Sequence, residues 1–88
     1  MKEQPSLLQF PCSYPLKVLG RNVHAFHAMV SVIIEKHLAG GDEVTYSTRV
    51  SSGDKYLSIT ATFTAKSREQ LNAMYAELNQ HELVLITL

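Results

Sequence analysis

The run Tyr56-Leu57-Ser58-Ile59-Thr60-Ala61-Thr62-Phe63-Thr64 decides the fold. Leu57, Ile59, Ala61 and Phe63 take alternate positions, and Tyr56, Ser58, Thr60, Thr62 and Thr64 fill the others. Successive side chains of a strand point to opposite faces, so this run predicts a strand with one apolar face and one hydroxyl-rich face. A sheet covered on both faces reads as continuously apolar, so any helices must lie on a single side of this one.

Working backward, Ser51–Lys55 holds Ser52, Gly53 and Asp54, which are turn residues, and Val44, Tyr46, Thr48 and Val50 alternate before it. The two runs make a hairpin. Working forward, Ser67 with Gln70 three residues on has the form of a capping box, and Leu71, Met74, Tyr75 and Leu78 form the apolar stripe of a helix. Asn79 is placed to close that helix in a left-handed conformation, and the β-branched run Leu83–Leu88 supplies a last strand.

Near the N-terminus, Leu16 and Val18 alternate with Lys17 and Leu19 in a strand over Tyr14–Gly20. A helix over Val23–Leu38 follows, with Phe26, Met29, Val30, Ile33, Ile34 and His37 on its apolar face and His24, Ser31 and Glu35 outside. Gly20 is read as a turn residue and Asn22 as the cap that starts this helix. Gly40 and Gly41 stop it. Residues 1–13, with Pro5 and Pro11, read as an arm pinned by Leu7, Leu8 and Phe10.

The element order is therefore βαββαβ. Two right-handed crossovers place the first and third strands in the centre, giving a four-stranded antiparallel sheet of order 4-1-3-2 with two helices on one face. This is an α+β, ferredoxin-like split sandwich, and 88 residues suffice for one such domain over 1–88.

Composition narrows the partners. The 8 Lys and Arg balance 8 Asp and Glu, a formal net charge of +0 that supplies no overall field for a polyanion, so nucleic acid is not expected. Cys12 is the only cysteine and cannot close an internal disulfide. With no signal-like or membrane-spanning apolar stretch in the sequence, the expected compartment is the cytoplasm, away from any membrane. Cys12 lacks a neighbouring base or a CxxC spacing and reads as a partly buried thiol.

The best candidate for chemistry is Gly20-Arg21-Asn22-Val23. A glycine turn feeding a helix N-terminus, with a guanidinium beside it, has the makings of a site for a small anionic metabolite, a carboxylate or phosphate. His24 and His27 have a spacing that can share a metal, yet no third ligand accompanies them, so no metal or other cofactor is expected. His37 reads as a packed histidine bonded to a backbone carbonyl, and His81 as a loop residue.

An acylphosphatase-like enzyme of this topology would use Arg21, but the later central strand offers no Asn to position water. An RNA-binding module needs aromatics on both central strands, and only Tyr56 is suitably placed. No hydroxyl has a legible base, so the chain reads as a non-enzyme. Open sheet edges and a polar sheet face point to a homodimer, or to an adaptor that adds its edge to a protein partner.

Phe10-Pro11-Cys12-Ser13-Tyr14-Pro15-Leu16-Lys17-Val18-Leu19-Gly20, the helix end around His37, Tyr75-Ala76-Glu77-Leu78 and the terminal Val84–Leu88 strand resemble the YbeD-like family of small bacterial proteins. The resemblance implies a ferredoxin-like fold similar to the ACT regulatory domains of amino-acid metabolism, and a family with little assigned function. Some members are labelled proposed lipoate regulators. ACT domains bind small metabolites near the loop after the first strand, here Gly20, Arg21, Asn22 and Val23. The resemblance thus implies a free-standing regulatory or ligand-sensing module.

Overall fold

The computed structural model describes residues 8–38 and 40–88. Strand β1 (Cys12–Arg21) leads to helix α1 (His24–Lys36), strands β2 (Val44–Val50) and β3 (Tyr56–Ala65), helix α2 (Arg68–Gln80) and strand β4 (Val84–Thr87). The sheet runs β2-β3-β1-β4, antiparallel throughout, which is the expected order. The expectation that Leu7 pins the arm lies outside the described residues, whereas Leu8 and Phe10 pack against the core.

Alternation in β1 and β3 builds the core. Leu16 and Val18 from β1, and Ile59, Ala61 and Phe63 from β3, are buried against Phe26, Val30, Ile33 and Ile34 of α1 and Leu71, Met74 and Leu78 of α2. Both helices therefore cover one face, and truncating any of the large core side chains to Ala would cost about 2–5 kcal/mol.

Strand β1 begins at Cys12 instead of Tyr14, because β3 continues to Ala65 and offers Cys12 a partner there. Pro15 sits inside this long strand. The Lys17 N–H turns toward β4 and donates to the Leu88 oxygen at 3.1 Å, so the nitrogen of Pro15, two residues earlier, turns the same way. The paired part of β4 ends beside Lys17. Among the described residues no strand faces that nitrogen, so the donor that proline lacks leaves no ladder bond unmade.

The capping box forms at α2: the Gln70 N–H donates to Ser67 Oγ at 3.1 Å, while Gln70 Oε1 accepts from the Lys66 N–H at 2.7 Å. Two expected caps are not made. Val23, not Asn22, is the N-cap of α1, with no side-chain bond, because the Asn22 amide donates to the Asp54 carbonyl of the hairpin turn at 3.1 Å. Asn79 lies within α2, which runs to Gln80 and ends at His81 in an extended conformation. The Asn79 side chain instead meets Thr87 Oγ1 at 3.3 Å.

Candidate functional site

Gly20 is a packing glycine. Its backbone has no positive φ, and a Cβ there would lie 2.3 Å from two ring carbons of Phe26 and 2.5 Å from the Leu83 carbonyl oxygen. It faces the helices, so the reading of Gly20 as a turn residue is corrected: the missing side chain makes room for Phe26 and for the start of β4. Arg21, one residue on, faces the opposite side of the sheet, in register with Tyr56. Asn22 is tied to the hairpin by its side chain and by its N–H, which donates to the Lys55 carbonyl at 2.9 Å. Val23 is exposed. Gly20 and Arg21 thus stand on opposite faces of the sheet, and Asn22 and Val23, beyond the strand, have their N–H groups engaged by the Lys55 and Arg21 carbonyls, so the four do not form one cradle at the start of α1.

The uncovered face gathers more. No strand contains an acidic residue, and their three basic residues are Lys17 and Arg21 in β1 and Arg49 in β2. Register puts Lys17, Thr60 and Ser47 in one row, Leu19, Ser58 and Arg49 in the next, and Arg21 beside Tyr56 in a third. All these side chains point away from the helices. Lys17, Ser47, Thr48, Arg49, Ser58 and Thr60 line a hollow of about 390 Å³ there. The two cations stand on strands separated by β3 and two residues apart in register, roughly 12 Å apart at the backbone, and long flexible stems let both reach over Ser58 and Thr60. Among the described residues neither has a carboxylate within salt-bridge distance.

The arrangement suits an anion: two cations supply charge and three hydroxyls supply donors. Among the described residues the histidines, aspartates and glutamates all lie outside the strands, so Lys17 is the one titratable side chain beside Ser47 and Thr60 in the hollow. Nothing in the sequence joined Lys17 to Arg49, since only strand order and register bring them together.

Other polar clusters fasten elements. Tyr75 donates to the Leu88 oxygen at 3.0 Å and so accepts from the Tyr14 hydroxyl at 2.8 Å. Burial, and then this bond with Tyr14, push the Tyr75 phenol well above its usual titration range. Burial and the Glu35 carboxylate, 2.6 Å away, do the same to Tyr46. His37 bonds Glu77 at 2.8 Å, not a backbone carbonyl as expected, because α2 brings a carboxylate to the end of α1. Lys36 pairs with the same carboxylate, and together they hold Glu77 below the usual carboxylate range, Lys36 contributing more.

His27 lies edge-on to Tyr46, 5.4 Å between ring centres, and both His24 and His27 are exposed. Among the described residues no three or more His, Cys, Asp or Glu side chains cluster to hold a metal, and no helix is long and apolar enough to cross a membrane. Cys12 is half-buried, as expected.

A family model described as "Protein of unknown function (DUF493)" matches residues 5–88. A UPF0250 protein of Nitrosomonas europaea is 34% identical over 85 residues, covering 97% of this chain and 98% of the relative. One from Leptothrix cholodnii is 37% identical over 86 residues, covering 97% and 93%. Among solved structures, protein HP0495 from H. pylori superposes with a TM-score of 0.75 at 15% identity, covering 100% of this chain and 98% of that one. The ACT domain from GTP pyrophosphokinase of Chlorobium tepidum gives 0.68 at 12% identity, covering 88% and 83%. At such identities the two structures establish a shared fold, and that fold is ACT-like.

Proposed function

From the premise that the chain belongs to the DUF493 family, the UPF0250 proteins, we propose that it is a free-standing, cytoplasmic ligand-sensing module that takes a small anionic metabolite on its uncovered sheet face. The single observation that carries this reading is the hollow of about 390 Å³ with Lys17 and Arg49 over it and no acidic residue in any strand. Its volume is within the range of small-molecule sites. Lys17 and Arg49 hold the carboxylate or phosphate, Ser47, Ser58 and Thr60 orient it, and Arg21 adds charge from the end of the same face. Gly20, Asn22 and Val23 serve the site indirectly, by fixing the turn that follows β1.

Binding without chemistry is a regulator's task, and the ACT-like fold agrees with it. The regulatory output then passes through another protein.

Thermal-shift and calorimetric titration with amino acids, lipoate and phosphorylated metabolites tests the reading. A true ligand at 100 times its Kd raises stability by about 2.7 kcal/mol. Lys17→Ala and Arg49→Ala should each weaken binding at least tenfold, and Arg21→Ala should do so less. Failure of every class to stabilise the protein, or unchanged affinity in both variants, would overturn the proposal.

A further inference from the structure

Along β3 the uncovered face presents Tyr56, Ser58 and Thr60 in a line, a ring followed by two hydroxyls, each step about 7 Å. Ser58 and Thr60 belong to the hollow, and Tyr56 stands just beyond it on the same strand. The other tyrosines fasten elements through their hydroxyls, Tyr14 with Tyr75 and Tyr46 with Glu35. Tyr56 has no such bond among the described residues, and it is 39% exposed. Its backbone is nonetheless fixed, since the Ser51 N–H donates to the Tyr56 carbonyl at 2.9 Å and the Tyr56 N–H donates to Ser51 Oγ at 3.0 Å. A ring that ties nothing together is held at a set position at the end of the hollow.

Each member of the line has a cation in register with it on a neighbouring strand. Arg21 of β1 stands beside Tyr56, Arg49 of β2 beside Ser58, and Lys17 of β1 beside Thr60, with Ser47 on the other flank of Thr60. The face thus repeats one pairing, a cation with a hydroxyl, at two successive rows, and ends in a cation with an aromatic ring.

We propose that the anion taken by this face is a nucleoside diphosphate, with its base stacked on Tyr56 and its two phosphates in the hollow; this deepens the proposed function and rests on it. Base–aromatic stacking accepts any base because every base has a π-face. The Arg21 guanidinium, planar and charged, flanks the stacked ring. The sugar then runs toward Ser58, where Arg49 and the Ser58 hydroxyl take the first phosphate. The second falls in the next row, to Lys17, Thr60 and Ser47. Two rows of cation and hydroxyl call for two anionic groups, and three cations with no acid in any strand balance the charge of a diphosphate. A polynucleotide is not implied, because a formal net charge of +0 gives no field to gather one.

An aliphatic tail is the competing apolar group. Thr87 meets Asn79 of α2, so its neighbours Ile86 and Leu88, 49% and 69% exposed, turn to the uncovered face. They lie across β1 from the hollow, whereas Tyr56 shares a strand with it.

Calorimetric titration of the full chain with ADP, pyrophosphate and octyl phosphate separates these readings. ADP should bind about 5- to 150-fold tighter than pyrophosphate, the gain that stacking one base on an aromatic side chain supplies. Tyr56→Leu should remove that gain and Tyr56→Phe should keep it, with pyrophosphate bound alike by all three chains. In proton NMR, ADP should move the Tyr56 ring resonances upfield and pyrophosphate should not, because only a stacked base brings a ring current. Pyrophosphate binding with no gain for ADP would overturn the nucleotide and leave the anion site standing, whereas a folded chain that binds neither would overturn both. A Tyr56→Leu chain that binds ADP as the wild type does would also overturn the nucleotide. So would octyl phosphate binding as tightly as ADP, which would assign the apolar contact to Ile86 and Leu88.

Discussion

Gly20 and Arg21 are adjacent in sequence and stand on opposite faces of the sheet, and they answer to different constraints. The helix-covered face is close-packed: Gly20 has no room for a single carbon. The uncovered face holds cations and hydroxyls, with Lys17 and Arg21 exposed and open space beside Ser58 and Thr60. The contrast teaches that close packing and surface charge are separable here, face by face, because a strand delivers alternate residues to each.

The sharpest break of that contrast is Gly20→Ala. The new methyl collides with the Phe26 ring and with a backbone oxygen that cannot swing aside, so the expected loss is about 3 kcal/mol, the upper end of the cost of overpacking. Arg21→Ala, its neighbour, should stay within about 0.5 kcal/mol, the usual range for an exposed site. Urea denaturation of the pair measures both, and equal losses would erase the distinction between the faces.

The strand period that makes this comparison was fully legible in sequence, because burying one face leaves a period of two in residues such as Ile59, Ala61 and Phe63. The capping box was legible for a similar reason, since Ser67 and Gln70 interact within one turn. Asn22 and Asn79 were misread because their side chains are claimed by distant partners, the hairpin turn and Thr87. Local propensity carries no information about those. The hollow was hidden for the same reason, as Lys17 and Arg49 become neighbours only across β3.

A middle-sized effect is expected at the rim of the core. Tyr75→Phe removes the bond to the Leu88 oxygen and the one accepted from Tyr14, and should cost about 1 kcal/mol per net hydrogen bond lost. Spectroscopic titration sharpens the point, since the wild-type Tyr75 phenol should still be protonated at pH 10. A Tyr75 that ionises at its ordinary value would remove burial and the Tyr14 bond as constraints.

The smallest effect belongs to the exposed tie between the helices. Glu77 binds its proton less readily in the folded chain than at its ordinary value of 4.5, so its pairing with Lys36 and His37 stabilises fully above that value. The contribution fades as pH falls through the lower, folded value. Glu77→Gln should therefore lower the melting temperature slightly at pH 7 and not at pH 2, and a difference that persists at pH 2 would assign the loss to packing.

Strands free of acid have a consequence for how the molecule behaves in bulk. The strands carry three positive charges and no acid, while the helices opposite carry Glu35, Glu69 and Glu77 against Lys36 and Arg68, a net charge of −1, so a chain of zero formal charge carries a permanent electrical polarity. At its isoelectric pH of about 6.9 it should stand still in an electrophoretic field and yet be retarded on a sulfonated resin, orienting its sheet toward the beads.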